Sequence, residues 1–403
     1  MRVAERLRPL AEDRRSWILV LPFVVAQWLA VAVFALTVQR NGWLFYQGGD
    51  QTWFYTSAWV LSDGRIPETL VSWVWAAALT PIAALFGPDF LAGLPAVVLL
   101  QYLFLLPLGL IFVFAIASRI GGRPLGLWAA AWWIVIPYLA AHLFVDRYHD
   151  TYVEQTLPQG LGLTSLGDFP SMIAVLAAAY FAVRALESRA RLDVVASGLL
   201  VGLAIGVKPA NGLFIFAPVA MFALARRWRA IAEFGLAVLP GLIVLVAWKY
   251  RGSGIALLAT ESVRLAADVG PPDFSEPTFW ERVRSYIPLD SNQLNHQFLG
   301  FREYFWSARL LEFLPLAGVI AVARRSVPLA GLLAVWLASF FVVKGSSPTV
   351  SVETGSIWGS SCRRGPRTFS SRFRCRSSFP GLAEGSRASA STRARSPAGC
   401  ERS

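Results

Sequence analysis

Trp17-Ile-Leu-Val-Leu-Pro-Phe-Val-Val-Ala-Gln-Trp-Leu-Ala-Val-Ala-Val-Phe-Ala-Leu-Thr-Val38 decides the fold class. The run carries no charge, and as a helix it is long enough to cross the roughly 30 Å hydrocarbon core of a bilayer. Arg2, Arg6, Arg8, Arg14 and Arg15 precede it. Such a basic flank stays in the cytoplasm, so the residues after Val38 emerge on the outer side. The run is too long and too rich in Trp for a cleaved signal peptide, and it reads as a retained helix.

The rest of the chain has the same character. Hydrophobic residues make up 55% of the 403 positions and charged residues 15%, with 16 Trp and a mean hydropathy of +0.51. A soluble domain of this length has no use for so much apolar surface, whereas a polytopic membrane protein does. Apolar runs place spans at 17–38, 93–117, 125–145, 169–186, 194–208, 211–225, 231–249, 309–323 and 327–343. The short basic connections Arg119-Ile-Gly-Gly-Arg123, Glu187-Ser-Arg-Ala-Arg191, Arg226-Arg227-Trp-Arg229 and Arg324-Arg325 fall on the cytoplasmic side. The outer side then receives 39–92, 146–168, 251–308 and the residues after Lys344. Val71–Phe86 is apolar but only about 16 residues long, short for a span. Counting it as one would invert every later loop, so it is expected to be an interfacial or re-entrant helix, broken near Pro81 and Gly87-Pro88. The expectation is an all-α polytopic membrane domain over residues 1–358, with about nine spans and interfacial helices in its outer loops. It would lie in the inner or plasma membrane with the N-terminus cytoplasmic.

A net charge of +12 does not make this a nucleic-acid-binding chain. From Gly359 onward there are ten Arg and two Glu, +8 of the total, and the remaining +4 follows the positive-inside bias. All three cysteines, Cys362, Cys375 and Cys400, lie in that tail, so the body has neither a disulfide framework nor a Cys-based metal site. Residues 359–403 read as a disordered Ser/Arg-rich tail or as a shifted reading frame. The genetic code favours the second. Shifted by one base, the codons that end in Cys, Phe and TCN Ser codons have T at their centre and encode apolar residues. Arg as CGN gives Ala, Pro, Ser or Thr. The alternative frame is an apolar, nearly charge-free segment of about 20 residues, the length of one further span. On this reading a tenth helix has been lost, and the activity of the product is in question.

Polar groups gather in the outer loops. Asp50, in Gly48-Gly49-Asp50-Gln51-Thr52-Trp53-Phe54-Tyr55, lies among aromatics that favour the membrane interface, where an acid suits chemistry on a lipid-linked substrate. It equally suits the N-cap of a helix starting near Thr52. Asp63, in Ser62-Asp63-Gly64, reads as a turn. Asp146, His149, Asp150 and Glu154 could hold a divalent ion or orient a phosphate, or form a solvated loop; their spacing matches no established metal motif. Arg147 has the planar fork of a phosphate clamp. Asp168 heads a span as either a cap or a substrate contact. Lys208, at a helical hairpin tip before Pro209, has a reason to be there if it meets a lipid phosphate, since charge near hydrocarbon is costly. His296 and Arg302 are candidate acceptor contacts.

With these features in this order, the chain resembles the GT-C superfamily of integral membrane glycosyltransferases. The likeness is to the bacterial relatives of protein O-mannosyltransferases and of the lipid A aminoarabinose transferase. It covers roughly residues 10–345 and rests on Gly49-Asp50-Gln-Thr-Trp-Phe-Tyr55, Ala58-Trp-Val-Leu-Ser-Asp-Gly-Arg-Ile-Pro67, Gly167-Asp168-Phe-Pro-Ser171 and Gly202-Leu-Ala-Ile-Gly-Val-Lys-Pro209. The resemblance implies a polyprenyl-phosphate-linked sugar as donor, inversion at the anomeric carbon, Asp50 as general base and no tightly bound cofactor, a divalent metal aside. Several relatives carry two adjacent acids where this chain has Asp50-Gln51. The sugar is left open, and the acceptor is a glycan, a lipid or a protein. A transporter or flippase of lipid-linked saccharide, and a non-catalytic scaffold in polysaccharide assembly, are the alternative readings.

Overall fold

The computed structural model describes residues 14–38, 49–67, 69, 71–143, 152–253, 294–295 and 309–346. The chain divides into two units, Met1–Thr349 and Val350–Ser403, and every described residue lies in the first. Among the described residues the fold is all-helical, without a strand.

Helix α1 is Arg14–Thr37, α2 is Asp50–Ser62 and α3 is Trp73–Phe86. Helix α4 is one continuous 32-residue rod, Phe90–Gly121, with a π-turn at Gln101–Leu105. It starts three residues before its apolar run because the Asp89 carboxylate accepts from the Leu91 and Ala92 amides at 2.9 and 3.3 Å, capping the helix there. Helix α5 is Arg123–Leu143, α6 is Asp168–Ser188 and α7 is Arg191–Val207. A 3₁₀ segment, Pro209–Ile215, leads into α8, Phe216–Leu224; α9 is Trp228–Ser253, α10 Arg309–Ala323 and α11 Val327–Ser346. Among the described residues four stretches are long and apolar enough to cross a membrane: Ile18–Thr37, Phe90–Gly121, Asp168–Ser188 and Trp228–Trp248. Trp73–Phe86, at 14 residues, is about 21 Å long and falls short of that, as its sequence predicts, but the break expected near Pro81 is absent: the helix runs through Pro81 and ends with Gly87 as its C-cap.

The outward faces explain the composition. On α1, Ile18, Leu21, Leu29 and Leu36 are exposed, as are Leu236 and Ile243 on α9. Rows of exposed aliphatic side chains along helices of this length point to a membrane protein, because hydrocarbon is the surrounding that makes them stable.

Small residues set the packing inside. Gly198, Gly202 and Gly206 recur every fourth residue on α7, along one ridge. A Cβ at Gly202 would lie 3.1 Å from the Val238 carbonyl and 3.3 Å from the Cα of Gly241, so α7 and α9 touch backbone to backbone. Gly206 lies instead against the side chains of Trp73 and Val74 of α3. On its other face α7 meets the alanines of α6, where the buried Ser197 hydroxyl donates to the Ala178 carbonyl at 2.9 Å. A hydroxyl in a buried helix contact finds a carbonyl because no water is there to serve it.

Polar groups within the other helices are satisfied across the packing as well. Trp28 Nε1 donates to the Tyr102 carbonyl and the Tyr102 hydroxyl to the Trp28 carbonyl, both at 2.8 Å, latching α1 to α4 at its π-turn. The span expected at 211–225 is not one helix. Pro209 lacks an amide proton and Lys208 is extended (φ −142°), so α7 ends and a 3₁₀ segment precedes α8. The Asn211 side chain donates to the Ala204 carbonyl at 3.0 Å, satisfying a group at the end of α7.

Candidate functional site

The site is built where α2, α6 and α7 meet. Gly49 takes the left-handed backbone (φ +57°) that turns the chain into α2, and the Thr52 hydroxyl donates back to the Gly49 carbonyl at 2.8 Å. Asp50 is therefore the first residue of the helix, not its cap, and its side chain makes no capping bond. The cap reading of Asp50 is corrected by this geometry. The carboxylate is exposed and has no hydrogen-bond or ion-pair partner among the described residues. It lies in the field of the amide dipoles at the start of α2, which favours a negative charge.

Gln51 points the other way. It is fully buried, and its Oε1 accepts from the Ser165 amide at 3.2 Å. Successive residues on a helix lie on different faces, so an inward Gln51 leaves Asp50 outward. Position 51 is here a structural position rather than the seat of a second acid. Two further side chains hold the same segment: Trp75 Nε1 donates to the Ser165 carbonyl at 3.0 Å, and Gln101 Nε2 to the Thr164 carbonyl at 2.5 Å. Residues 164 and 165 belong to no helix yet are buried, and side chains from α2, α3 and α4 supply the bonds a helix would have given. Gln51 Nε2, Gln101 Oε1 and Ser165 Oγ remain buried with no partner among the described residues. Gln101 opens the π-turn of α4, a distortion that often accompanies function.

The pinned segment runs directly into Gly167 and Asp168. A Cβ at Gly167 would lie 3.1 Å from the Phe54 ring and 3.2 Å from Val207 Cγ1, so α2 and α7 close on this one glycine. On the far side of it, Asp168 pairs with Lys208. Asp168 opens α6 and Lys208 ends α7, so each charge also complements its own helix dipole. Lys208 is therefore matched locally by a carboxylate. Its side chain is 46% exposed and that of Asp168 32%, so the pair remains open to a ligand.

Of the other candidates, only Glu154 and Asp63 lie among the described residues. Glu154 is exposed on a π-turn, Tyr152–Thr156, that is anchored by the Tyr152 hydroxyl donating to the Pro137 carbonyl at 2.8 Å. Asp146, Arg147, His149, Asp150, His296 and Arg302 lie outside the described residues, as does the tail from Gly359. No group of three or more His, Cys, Asp or Glu side chains that could hold a metal occurs among the described residues. Asp63 is the C-cap of α2 and pairs with Arg65 at 3.0 Å, as a turn residue would. Sequence reasoning did not find Gln51, Trp75 and Gln101 as a set. The one signal available was that three polar or amphipathic side chains stand in otherwise apolar stretches.

Comparisons with protein-family models, with curated proteins and with solved structures gave no match to the chain. What the fold and the site define is an all-helical protein with membrane-length apolar helices and a polar cluster at one end of them.

Proposed function

We propose that the chain is a membrane glycosyltransferase of the GT-C kind. It would move a sugar from a polyprenyl-phosphate donor to an acceptor hydroxyl at the outer face of the cytoplasmic membrane, with inversion. The observation that carries this reading is the Asp50 carboxylate. It is exposed and without a partner among the described residues, on a helix fixed through Gln51 whose Phe54 packs against Gly167, next in sequence to the Asp168 of the Asp168–Lys208 pair. In the transfer, Asp50 takes the acceptor proton as the acceptor oxygen bonds to the anomeric carbon. The bond from that carbon to the donor phosphate breaks, and polyprenyl phosphate leaves with the electron pair. Lys208, with Arg147, would offset the charge that develops on the phosphate. Phosphate is a good leaving group, so no strong general acid is required.

Nine spans and a cytoplasmic N-terminus complete the reading. Its support is that the Arg-rich turns after α6 and α8 sit at one end of the helices and the Asp50 cluster at the other. The test is sugar transfer in membranes from labelled polyprenyl-phosphate sugars. It compares the protein carrying its restored reading frame with the same protein carrying Asp50→Asn. Loss of transfer at equal expression supports the proposal. Equal transfer in both removes Asp50 from the chemistry, and no transfer from any donor favours a transporter or a scaffold.

A further inference from the structure

The turn joining α6 to α7 and the turn joining α8 to α9 converge on an open crevice of about 580 Å³. Arg189, Arg191, Arg226, Arg227 and Arg229 line it, with Glu233 as the single carboxylate. Arg191 and Arg229 both bond to Glu233, at 3.3 and 3.1 Å. The nearby Asp193 is engaged by Arg184 at 3.3 Å and by the Ser188 hydroxyl at 2.7 Å. Arg189, Arg226 and Arg227 therefore have no carboxylate among the described residues. Arg227 donates instead to the Ala185 carbonyl. Burial, and then the charge of Arg189, lower its pKa, so the folded chain holds these cations against their repulsion.

The positive-inside bias explains why arginines are on this side. It does not explain why two turns bring five of them onto one crevice. Nor does it explain why Arg189 and Arg226 both adopt a left-handed backbone (φ 56° each), where Gly or Asn would be less strained. Helices α7 and α9 also begin here, so two sets of free amide groups add to the positive field. The rim is apolar and exposed: Leu192 is 81% and Trp228 68% exposed. Exposed Trp beside Arg is the pattern of the membrane interface, and it favours a ligand that brings acyl chains over a soluble anion.

We propose that this crevice binds the phosphate head group of an anionic membrane lipid, in the leaflet opposite to the Asp50 cluster. Two or three guanidinium forks grip the phosphate oxygens while Leu192 and Trp228 lie against the lipid's glycerol and upper chains. The site does not depend on what the Asp50 cluster does.

The full chain in neutral detergent, titrated with phosphatidylglycerol and followed by native mass spectrometry, tests this. Arg189→Asn/Arg226→Asn removes two charges while suiting the left-handed backbone. It should weaken retention about tenfold or more, the scale of losing charge-assisted hydrogen bonds. Arg229→Gln changes an 86% exposed side chain, so it threatens the fold little, and it should weaken retention in the same direction. Arg324→Gln/Arg325→Gln removes two exposed charges from another turn and should leave retention unchanged. Equal losses in both double variants, or none in either, overturn the proposal. So does displacement of the lipid by an equal concentration of inorganic phosphate, which would assign the crevice to a free anion.

Discussion

Changing Gln51 should reveal how firmly the Asp50 helix is held. In Gln51→Leu the Ser165 amide loses its acceptor, at 3.2 Å in the parent, and stays buried. An unpaired buried amide costs about 1–3 kcal/mol. Part of that is recovered, because the substitution also deletes Gln51 Nε2, which is buried without a partner in the parent. The net loss should be about 1–2 kcal/mol, or a fall of about 2–4 °C in melting temperature for a domain of a few hundred residues. Gln51→Glu keeps the acceptor but buries a carboxylate, whose folded pKa must rise above its unfolded value of about 4.3. Between those two values the folded state binds the extra proton, so stability falls with rising pH by about 1.4 kcal/mol per unit and levels off above the folded pKa. At pH 8 the order of stability should be parent, then Leu, then Glu; at pH 5 Glu should approach the parent. Tryptophan fluorescence melting in detergent reads this directly, since the chain has 16 Trp. A Glu variant as stable as the parent at pH 8, or without a pH slope, would refute the buried bond to residue 165.

Four other changes probe separate contacts. Gly202→Leu should prevent α7 and α9 from docking, because the helices meet backbone to backbone there; the check is loss of a monodisperse peak in size-exclusion chromatography, with Leu203→Ala, partly exposed, as a tolerated control. Lys208→Gln should cost under about 1 kcal/mol in melting experiments, because the pair with Asp168 is half exposed; under the proposed glycosyl transfer it should also raise the donor KM more than it lowers kcat. Tyr55→Phe should lose about 1 kcal/mol through the 3.1 Å bond from its hydroxyl to the Gly87 carbonyl, which ties α2 to the α3–α4 turn. Asp50→Asn should leave the melting temperature within about 1 °C, since an exposed residue without a partner among the described residues contributes little to stability.

The sequence made the helices legible and left the site half hidden, for one physical reason. A membrane-length helix announces itself locally, by some twenty neighbouring residues, and most expected spans coincide with helices to within a few positions, although four stretches among the described residues, not nine, are long and apolar enough to cross a membrane. Departures occur where one residue overrides the apolar run: Asp89 starts α4 early, and Pro209 breaks the span expected at 211–225. Asp50, Asp168 and Lys208 were readable because an ionised side chain near hydrocarbon is conspicuous. Gln51, Trp75 and Gln101 were not, because their partners lie 114, 90 and 63 residues away. A hydrogen bond between positions so far apart leaves no periodicity in a single sequence.

The glycine ridge links the two ends of the molecule. Helix α6 has 21 residues and so rises about 31 Å from Asp168 to the turn at Arg189, close to the hydrocarbon thickness of a bilayer. Helix α7, with 17 residues, runs back about 25 Å to Lys208. With Gly198 and Gly202 against α9 and Gly206 against α3, α7 cannot slide without driving a Cβ-less surface into a side chain or a carbonyl. The height of Lys208, and hence its meeting with Asp168, is fixed by helix contacts that involve no charged group. The Asp168–Lys208 pair is then better understood as a consequence of the ridge than as a force that assembles it. An Asp168→Asn change should leave α7 in place, observed as an unchanged monodisperse size-exclusion peak in detergent, while a bulky residue at Gly202 should abolish that peak.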